Sequence, residues 1–301
     1  MKIIYLLIFF TCLWSCKSDE KGNEEVLQTN DVEITKISSN RPNLNVSILL
    51  DLSDRIDTIK YPNAAMEFYK RDLGYINSVA NGFELHLRNK RSIKINDHIK
   101  LFIDPEPSDK ALNQKLDILN MTFTRDNAKK EKIMQVSDSY DSIAQLIYKS
   151  ALKDNNYVGS DIWRFFKTKV KDFCIEPEHR NILVVLTDGY IFHKDNAIKD
   201  GNLTSYLRPQ DIRDNKLTTN NWMKTIENKR YGFIPANTDL ETLEVLVLGI
   251  NPDIKNPYEL EIIKKYWDDW LTAMNVVHYE IKTAELPSNL DKIIKSFILK
   301  E

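Results

Sequence analysis

Three apolar runs, each seven or eight residues long, set the limits on what this chain can fold into: Leu44 to Leu50 (LNVSILL), Asn181 to Thr187 (NILVVLT) and Leu243 to Ile250 (LEVLVLGI). They are too short for buried helices and lack the polar alternation of a strand with one wet face. Rich in branched residues and sharply bounded, they read as strands covered on both faces. Two further strands are predicted at His98 to Asp104, stopped by Pro105, and at Val276 to Thr283. Between these lie stretches of helical period. Pro62 to Phe83 carries apolar residues at 65, 68, 69, 73, 76, 79, 80 and 83, and Pro62 suits a first turn. Residues 108 to 157 read as mostly helical, with a break near Thr122 to Asn127, and Asp161 to Phe173 has helical aromatic spacing. Asn256-Pro257 opens a further helix. Ser288 with Asp291 three residues on resembles a capping box ahead of a last helix that shows Leu290, Ile293, Ile294, Phe297 and Ile298 on one face. Strands alternating with helices predict an α/β fold, a doubly wound parallel sheet between helical layers. The connection from about residue 190 to 242 is long for such a fold, as functional loops and small subdomains are, and a helix is expected within it at Asn221 to Lys229.

The N-terminus predicts where the chain works. Lys2, the apolar run Ile3 to Leu13, and Ser15-Cys16 ahead of the polar Lys17-Ser18-Asp19-Glu20 have the layout of a signal peptide. The run is shorter than the roughly 20 apolar residues that span a bilayer. The site resembles a bacterial lipobox, which implies cleavage before Cys16, thioether lipidation of its sulfur and anchoring by acyl chains such as palmitate. The expected organisation is a signal peptide over 1–15, a lipidated cysteine and tether over 16–42, and one domain over 43–301. The tether is too polar to offset its ordering entropy, apart from a short strand around Val32 to Ile37. The charged residues after Cys16 resemble the export tag of some Gram-negative surface lipoproteins, so the outer membrane is the expected address.

Charge and cysteine usage agree with that placement. With 42 basic and 44 acidic side chains the chain generates no field for nucleic acid. The basic run Arg88, Lys90, Arg91, Lys94 reads as a solvated loop. Of three cysteines, Cys12 leaves with the leader, Cys16 takes the lipid, and Cys174 reads as a small buried hydrophobe. No disulfide is expected, so the core alone must hold the fold.

The chemistry collects at strand ends. Asp51 follows the first apolar run, and Asp188 follows the run ending in Thr187. In an open parallel sheet, ligands bind outside the carboxyl ends of the strands where strand order reverses. If these two strands flank that reversal, the carboxylates share one crevice. Ser53 and the hydroxyl of Ser160 add hard oxygen donors suited to magnesium or calcium. Taken singly, Asp188-Gly189 is more simply a turn, Asp54 and Asp161 are solvent-facing or capping residues, and Asp104 only stops a strand.

Together, Asp51-Leu52-Ser53-Asp54-Arg55, Gly159-Ser160-Asp161-Ile162 and Thr187-Asp188-Gly189 resemble, in order and placement, the three parts of the metal-ion-dependent adhesion site of von Willebrand factor A-type domains. The resemblance spans about residues 44 to 300. It implies a six-stranded, mostly parallel sheet in the order 3-2-1-4-5-6 with one antiparallel edge strand. It implies a ligand-binding face above Asp51, Ser53, Ser160 and Asp188, where a partner's carboxylate completes the shell of Mg2+ or another divalent cation. Arg55 departs from the pattern, standing where a second serine would coordinate. A guanidinium has no lone pair, and at about 5 Å it repels a divalent ion by roughly 6 to 7 kcal/mol at an effective dielectric near 20. Arg55 either swings outward, is offset by carboxylates, or takes the cation's place beside Asp51 or Asp188.

Three functions follow. The first is a non-catalytic, membrane-tethered module that binds a protein partner in the cell envelope, with Asp54, Asp161, Tyr190, His193, Tyr206 and Arg208 as candidate contacts. The second is a metal-dependent phosphohydrolase-like enzyme with Asp51 as nucleophile, although the second acid such enzymes want is replaced by Ser53. The third is a metal-free assembly scaffold. The five histidines show no ligand spacing, and no HExxH, GxSxG, P-loop or GxGxxG occurs. Trp267/Trp270 and Phe165/Phe166 sit at core spacing, and His278 reads as structural.

Overall fold

The apolar runs become the centre of a six-stranded sheet. The structure, a computed structural model, describes residues 41–154 and 160–300. The leader, Cys16, nearly all of the tether, the strand expected at 32–37 and Gly159 lie outside the described residues. In chain order the elements of the first half are β1 (Asn43–Leu50), α1 (Phe68–Arg88), β2 (Asn96–Ile103), α2 (Lys110–Ile118), β3 (Met121–Thr124), α3 (Lys130–Met134) and α4 (Val136–Asp154). Then come α5 (Ile162–Thr168), α6 (Val170–Cys174) and β4 (His179–Leu186). The long connection holds β5 (Lys199–Asp200), β6 (Leu203–Thr204), α7 (Pro209–Asp214), α8 (Trp222–Lys229) and β7 (Gly232–Phe233). The chain closes with β8 (Leu243–Ile250), α9 (Glu259–Ala273), β9 (His278–Thr283) and α10 (Pro287–Leu299).

The main sheet runs β3-β2-β1-β4-β8-β9, with every neighbour parallel except the β2–β3 pair. This is the order 3-2-1-4-5-6 with one antiparallel edge strand. Its order reverses between β1 and β4, which pair in register with Leu50 opposite Leu186. Both faces of the central strands are covered. Leu44, Val46, Ile48 and Leu50 join a core with α1, α4 and α10, while Leu49, Leu183 and Val185 join a second core with α5, α6 and α9. Each such aliphatic side chain contributes about 1.5–3 kcal/mol on full burial. Strands covered on both faces therefore hold the sheet together with no disulfide among the described residues. Cys174 is buried in the second core, and desolvation pushes its thiol up to about 12.

Several elements differ from the sequence reading. α1 begins at Phe68 rather than near Pro62, because Asn63 Oδ1 accepts from the backbone N–H groups of Ala65 and Met66. That local bonding holds residues 62–67 as a loop in place of a helical turn. The break near 122–127 is β3, the antiparallel edge. Asn127 closes it, with its side chain bonded to Thr124 N and Thr122 O. α10 starts at Pro287 behind Leu286, and Asp291 accepts from Ser78 of α1 instead of closing a capping box with Ser288. Lys90 is not solvated: its ammonium pairs with the buried Asp97 at 2.8 Å and bonds Asn43 at the start of β1. Asp104 does more than stop β2, because it is buried against Arg164 and Lys169.

The connection after Asp188 is a folded subdomain. Its three short strands pair as β5-β6-β7, and Leu207, Ile212, Trp222, Ile226 and Phe233 enter the second core beside α9. Trp267 and Trp270 are fully buried there and donate to Gly189 O at 2.9 Å and Ile234 O at 3.0 Å. His278 stacks on Phe297 with ring centroids 4.9 Å apart. No helix among the described residues is long and apolar enough to cross a membrane.

Gly189 is where this packing is least forgiving. Its φ is +97°, and a Cβ there would lie 2.5 Å from Ile263 and 2.7 Å from Ile250. Gly189→Ala is expected to cost about 2 kcal/mol or more, from the left-handed backbone and the overpacking together. Urea denaturation with an unchanged m-value checks it.

Candidate functional site

A crevice of about 1060 Å³ opens above the carboxyl ends of β1 and β4, where strand order reverses. Asp51, the first residue after β1, is 1 % exposed. Its backbone N–H bonds Leu186 O at 3.0 Å, continuing the ladder past the last paired residue. Its carboxylate is fixed from two sides: Oδ1 accepts from Ser53 N at 2.9 Å, and Oδ2 accepts from Thr187 Oγ1 at 2.9 Å. Asp188 follows one residue later on β4. Its Oδ1 accepts from Tyr190 N at 3.1 Å, and its carbonyl accepts from Asn251 N at 2.9 Å. Asp51 and Asp188 thus line one crevice, together with Ser53 and Ser160.

Ser160 arrives from a separate segment. Asp161 N donates to Asp104 O at 3.0 Å, and Ser160 bridges to Phe192 of the subdomain. These contacts tie the turn before α5 to the ends of β2 and β4. The Ser160 hydroxyl is buried and finds no hydrogen-bond partner among the described residues. A buried hydroxyl without a partner costs on the order of 1–3 kcal/mol, so one that faces a crevice is poised for something that enters it.

Arg55 takes none of the outward paths. It is 5 % exposed and lies in the crevice floor. Nη2 lies 2.5 Å from Asp72 Oδ2 on α1 and 3.2 Å from Leu186 O, and Nε donates to Asp51 O at 3.0 Å. Tyr148 of α4 donates to the same Asp72 oxygen at 2.8 Å. The nearest approach of Arg55 to the Asp51 carboxylate is 3.7 Å. The guanidinium charge is therefore answered by Asp72, and Arg55, Asp72, Asp51 and Asp188 leave two negative charges over. Burial works against the Arg55 charge, yet Asp72 and Asp51 hold its pKa above the ordinary value. Asp188 shows the excess. Desolvation first, and then the neighbouring Asp51 carboxylate, push its pKa up to about 7, against the pull of Arg55.

The donor set fits a hard divalent cation. Asp188 Oδ2 and Ser160 Oγ have free lone pairs, Asp51 Oδ1 holds one in reserve, and the Ser53 hydroxyl lines the same wall. Among the described residues no group of three or more His, Cys, Asp or Glu side chains is placed to hold a metal, so a cation here depends on the two hydroxyls. Ser53, Ser160, Asp51 and Asp188 would hold Mg2+, which would supply the positive charge the two carboxylates lack.

The other candidate residues divide. Tyr190 and Arg208 line the crevice, and so does Asp54, which pairs with Lys60. The Tyr190 hydroxyl donates to Glu259 and accepts from Asp253 N, pinning the loop after β8. Arg208 lies over Phe192 at 4.8 Å and Tyr206 at 5.2 Å, its fork held by Asp211. Asp161 and His193 sit behind the wall instead. Asp161 caps α5 by accepting from Arg164 N at 3.1 Å and also bonds Asn196, and the His193 ring lies 3.6 Å from it. Asp72 and Tyr148 escaped the sequence reading. A signal existed for Asp72, a carboxylate on the apolar stripe of α1 that demands a buried partner.

No family model matches the chain, and no curated protein does. Solved structures similar to it include an aerotolerance-related membrane protein from Bacteroides fragilis, at 13 % identity and a TM-score of 0.40, covering 86 % of this chain and all of that one. BatB from Bacteroides thetaiotaomicron is 12 % identical, covering 86 % of this chain and 100 % of its own, with a TM-score of 0.39. The pilus adhesin SpaC from Lactobacillus rhamnosus GG is 9 % identical with a TM-score of 0.41; the match covers 87 % of this chain and 31 % of SpaC. The fold rests on the strand order, which these superpositions neither add to nor alter.

Two outcomes are expected. Asp72→Ala strands the Arg55 guanidinium in a buried site and should destabilise the fold by about 3–5 kcal/mol in chemical denaturation. For Asp188 the folded pKa lies above the unfolded value of about 3.9, so the folded state binds the extra proton and stability falls as pH rises from about 4 through 7. In chelator, Asp188→Asn should therefore be more stable than the parent at pH 8, by a few kcal/mol on the order of the shift, and equal to it near pH 4.

Proposed function

We propose that this chain is a non-catalytic binding module of the bacterial cell envelope, anchored by lipid at Cys16, that grips a protein partner through a divalent-cation crevice. One observation carries the reading. Two carboxylates and a partnerless buried hydroxyl meet at the strand-order reversal, while the Arg55 guanidinium makes its short ion pair with Asp72. A divalent ion bound by Asp51, Ser53, Ser160 and Asp188 answers both the excess charge and the unused hydroxyl. It leaves a coordination position for an oxygen from the partner. The near-neutral charge of the chain gives no reason to invoke nucleic acid.

The geometry of Asp51 favours binding over hydrolysis. A phosphoryl-accepting carboxylate needs an oxygen open to the phosphorus. Asp51 is 1 % exposed, and both of its oxygens accept hydrogen bonds. The metal-free scaffold reading has Arg55 stand in for the cation; its Nε comes within 3.7 Å of Asp51 Oδ2, but its short bond is to Asp72, which leaves Asp188 unanswered.

Magnesium or manganese at millimolar concentration should raise the melting temperature of the full chain. Asp188→Ala and Ser160→Ala should each abolish the rise without preventing folding. A parent protein that melts at the same temperature with and without both metals would refute the cation. Turnover of a generic phosphate ester, lost in Asp51→Asn, would point to an enzyme instead.

A further inference from the structure

Two loops that flank the crevice end in the same four-residue pattern. The loop after β1 carries Ile59-Lys60-Tyr61-Pro62, and the loop after β8 carries Ile254-Lys255-Asn256-Pro257. β1 and β8 lie on either side of β4, so the two tips rise on either side of Asp188. Ile59 is 91 % exposed and Ile254 94 %, the two most exposed large apolar side chains among the described residues. Neither is loose. Asp57 Oδ1 accepts from Ile59 N and Lys60 N at 2.8 and 3.0 Å, and Asp253 Oδ1 accepts from Lys255 N at 3.0 Å. An aspartate turn thus holds each tip outward. Arg71 braces the first loop through Asn63 and Met66 O, and Tyr190 pins the second.

We infer that these paired Ile-Lys tips are the jaws of the crevice, and that they select an extended protein segment carrying a carboxylate flanked by aliphatic or aromatic residues. The inference rests on the partner-binding reading of the crevice. Charge supports it at the rim: Lys60, Lys194, Arg208, Arg213 and Lys255 line the crevice around the two floor carboxylates, and the Lys194 and Lys255 side chains make no ion pair among the described residues. A cation bound on the floor would offset Asp51 and Asp188 and leave the rim positive. The apolar component at the rim comes from Ile254, Tyr61 and Phe192, with Ile59 exposed just outside the lining residues Lys60 and Tyr61. Rigid apolar tips lose little conformational freedom on contact, which favours recognition over random stickiness. A bilayer presents isoleucine-lysine tips with a similar welcome, but a flat surface covers a crevice of this depth without filling it, whereas a chain segment fills it.

The test uses the full chain in magnesium against a displayed library of random twelve-residue peptides. Enriched peptides are expected to carry Asp or Glu within two residues of a large apolar side chain. The double variant Ile59→Ser/Ile254→Ser should weaken a synthetic copy of the best peptide at least tenfold, with the melting temperature and its response to magnesium unchanged. Lys255→Glu should weaken it about fivefold. No enrichment, or enrichment without acids, overturns the inference. Peptides lost in Asp188→Ala but held equally by the tip variant leave the crevice as a binding site and overturn the jaws. Peptides held equally by Asp188→Ala overturn the crevice reading and the jaws with it. Sedimentation with phosphatidylethanolamine–phosphatidylglycerol vesicles that the tip variant loses, while peptide binding is untouched, assigns the tips to a membrane and overturns the inference as well.

Discussion

The ion pair between Arg55 and Asp72 is the interaction on which the site depends. It joins the loop after β1 to α1, and through Tyr148 to α4, while the same guanidinium bonds the last carbonyl of β4. Arg55 ties three elements together, and Asp72 adds the fourth through Tyr148. Because removing either partner leaves an uncompensated buried charge, the loop cannot drift without a penalty of several kcal/mol. The pair also decides the electrostatics above it. The guanidinium is shared between Asp72 at 2.5 Å and Asp51 at 3.7 Å, so one positive charge faces three carboxylates once Asp188 is counted.

This answers what the sequence left open. Asp51, Ser53, Ser160 and Asp188, the residues of the motif, line one crevice: Asp51 and Asp188 follow strands that flank the reversal, and Ser160 comes in from the turn before α5. The direction of Arg55 was not legible, since a side chain four bonds long reaches up or down from the same backbone. Its partner was the missing datum. Asp72 sits on the buried stripe of α1, between Tyr69 and Ile76, where a lone carboxylate is costly unless a cation meets it. Placing the two together needed the packing of α1 against the sheet. Of the two readings of Asp161, solvent-facing or capping, the capping one holds, and His193, a candidate contact, lies against Asp161 behind the crevice wall.

The fold was legible where burial dominates. The strands β1, β4 and β8 follow the apolar runs to within about two residues, because a run this short and this apolar is buried on both faces only as a central strand. It was less legible where short side chains redirect the backbone. Asn63 converts a helical start into a loop, and Asn127 closes the four-residue edge strand β3 inside a stretch with helical composition. By length alone the connection after Asp188 read as either a functional loop or a small subdomain. Its aromatic and aliphatic residues in fact complete the second core, so it acts as a rigid wall beside the crevice.

The central claim is that the two carboxylates left over by the Arg55–Asp72 pair hold one divalent ion with the hydroxyls of Ser53 and Ser160. Titrating the full chain with Mn2+ and following the electron paramagnetic resonance signal of the free ion tests it most directly. One ion bound per chain is expected in the parent and none in Ser160→Ala or Asp188→Ala, with both variants folded. Parent protein that leaves the free-ion signal unchanged, or binding that survives loss of both side chains, would contradict it.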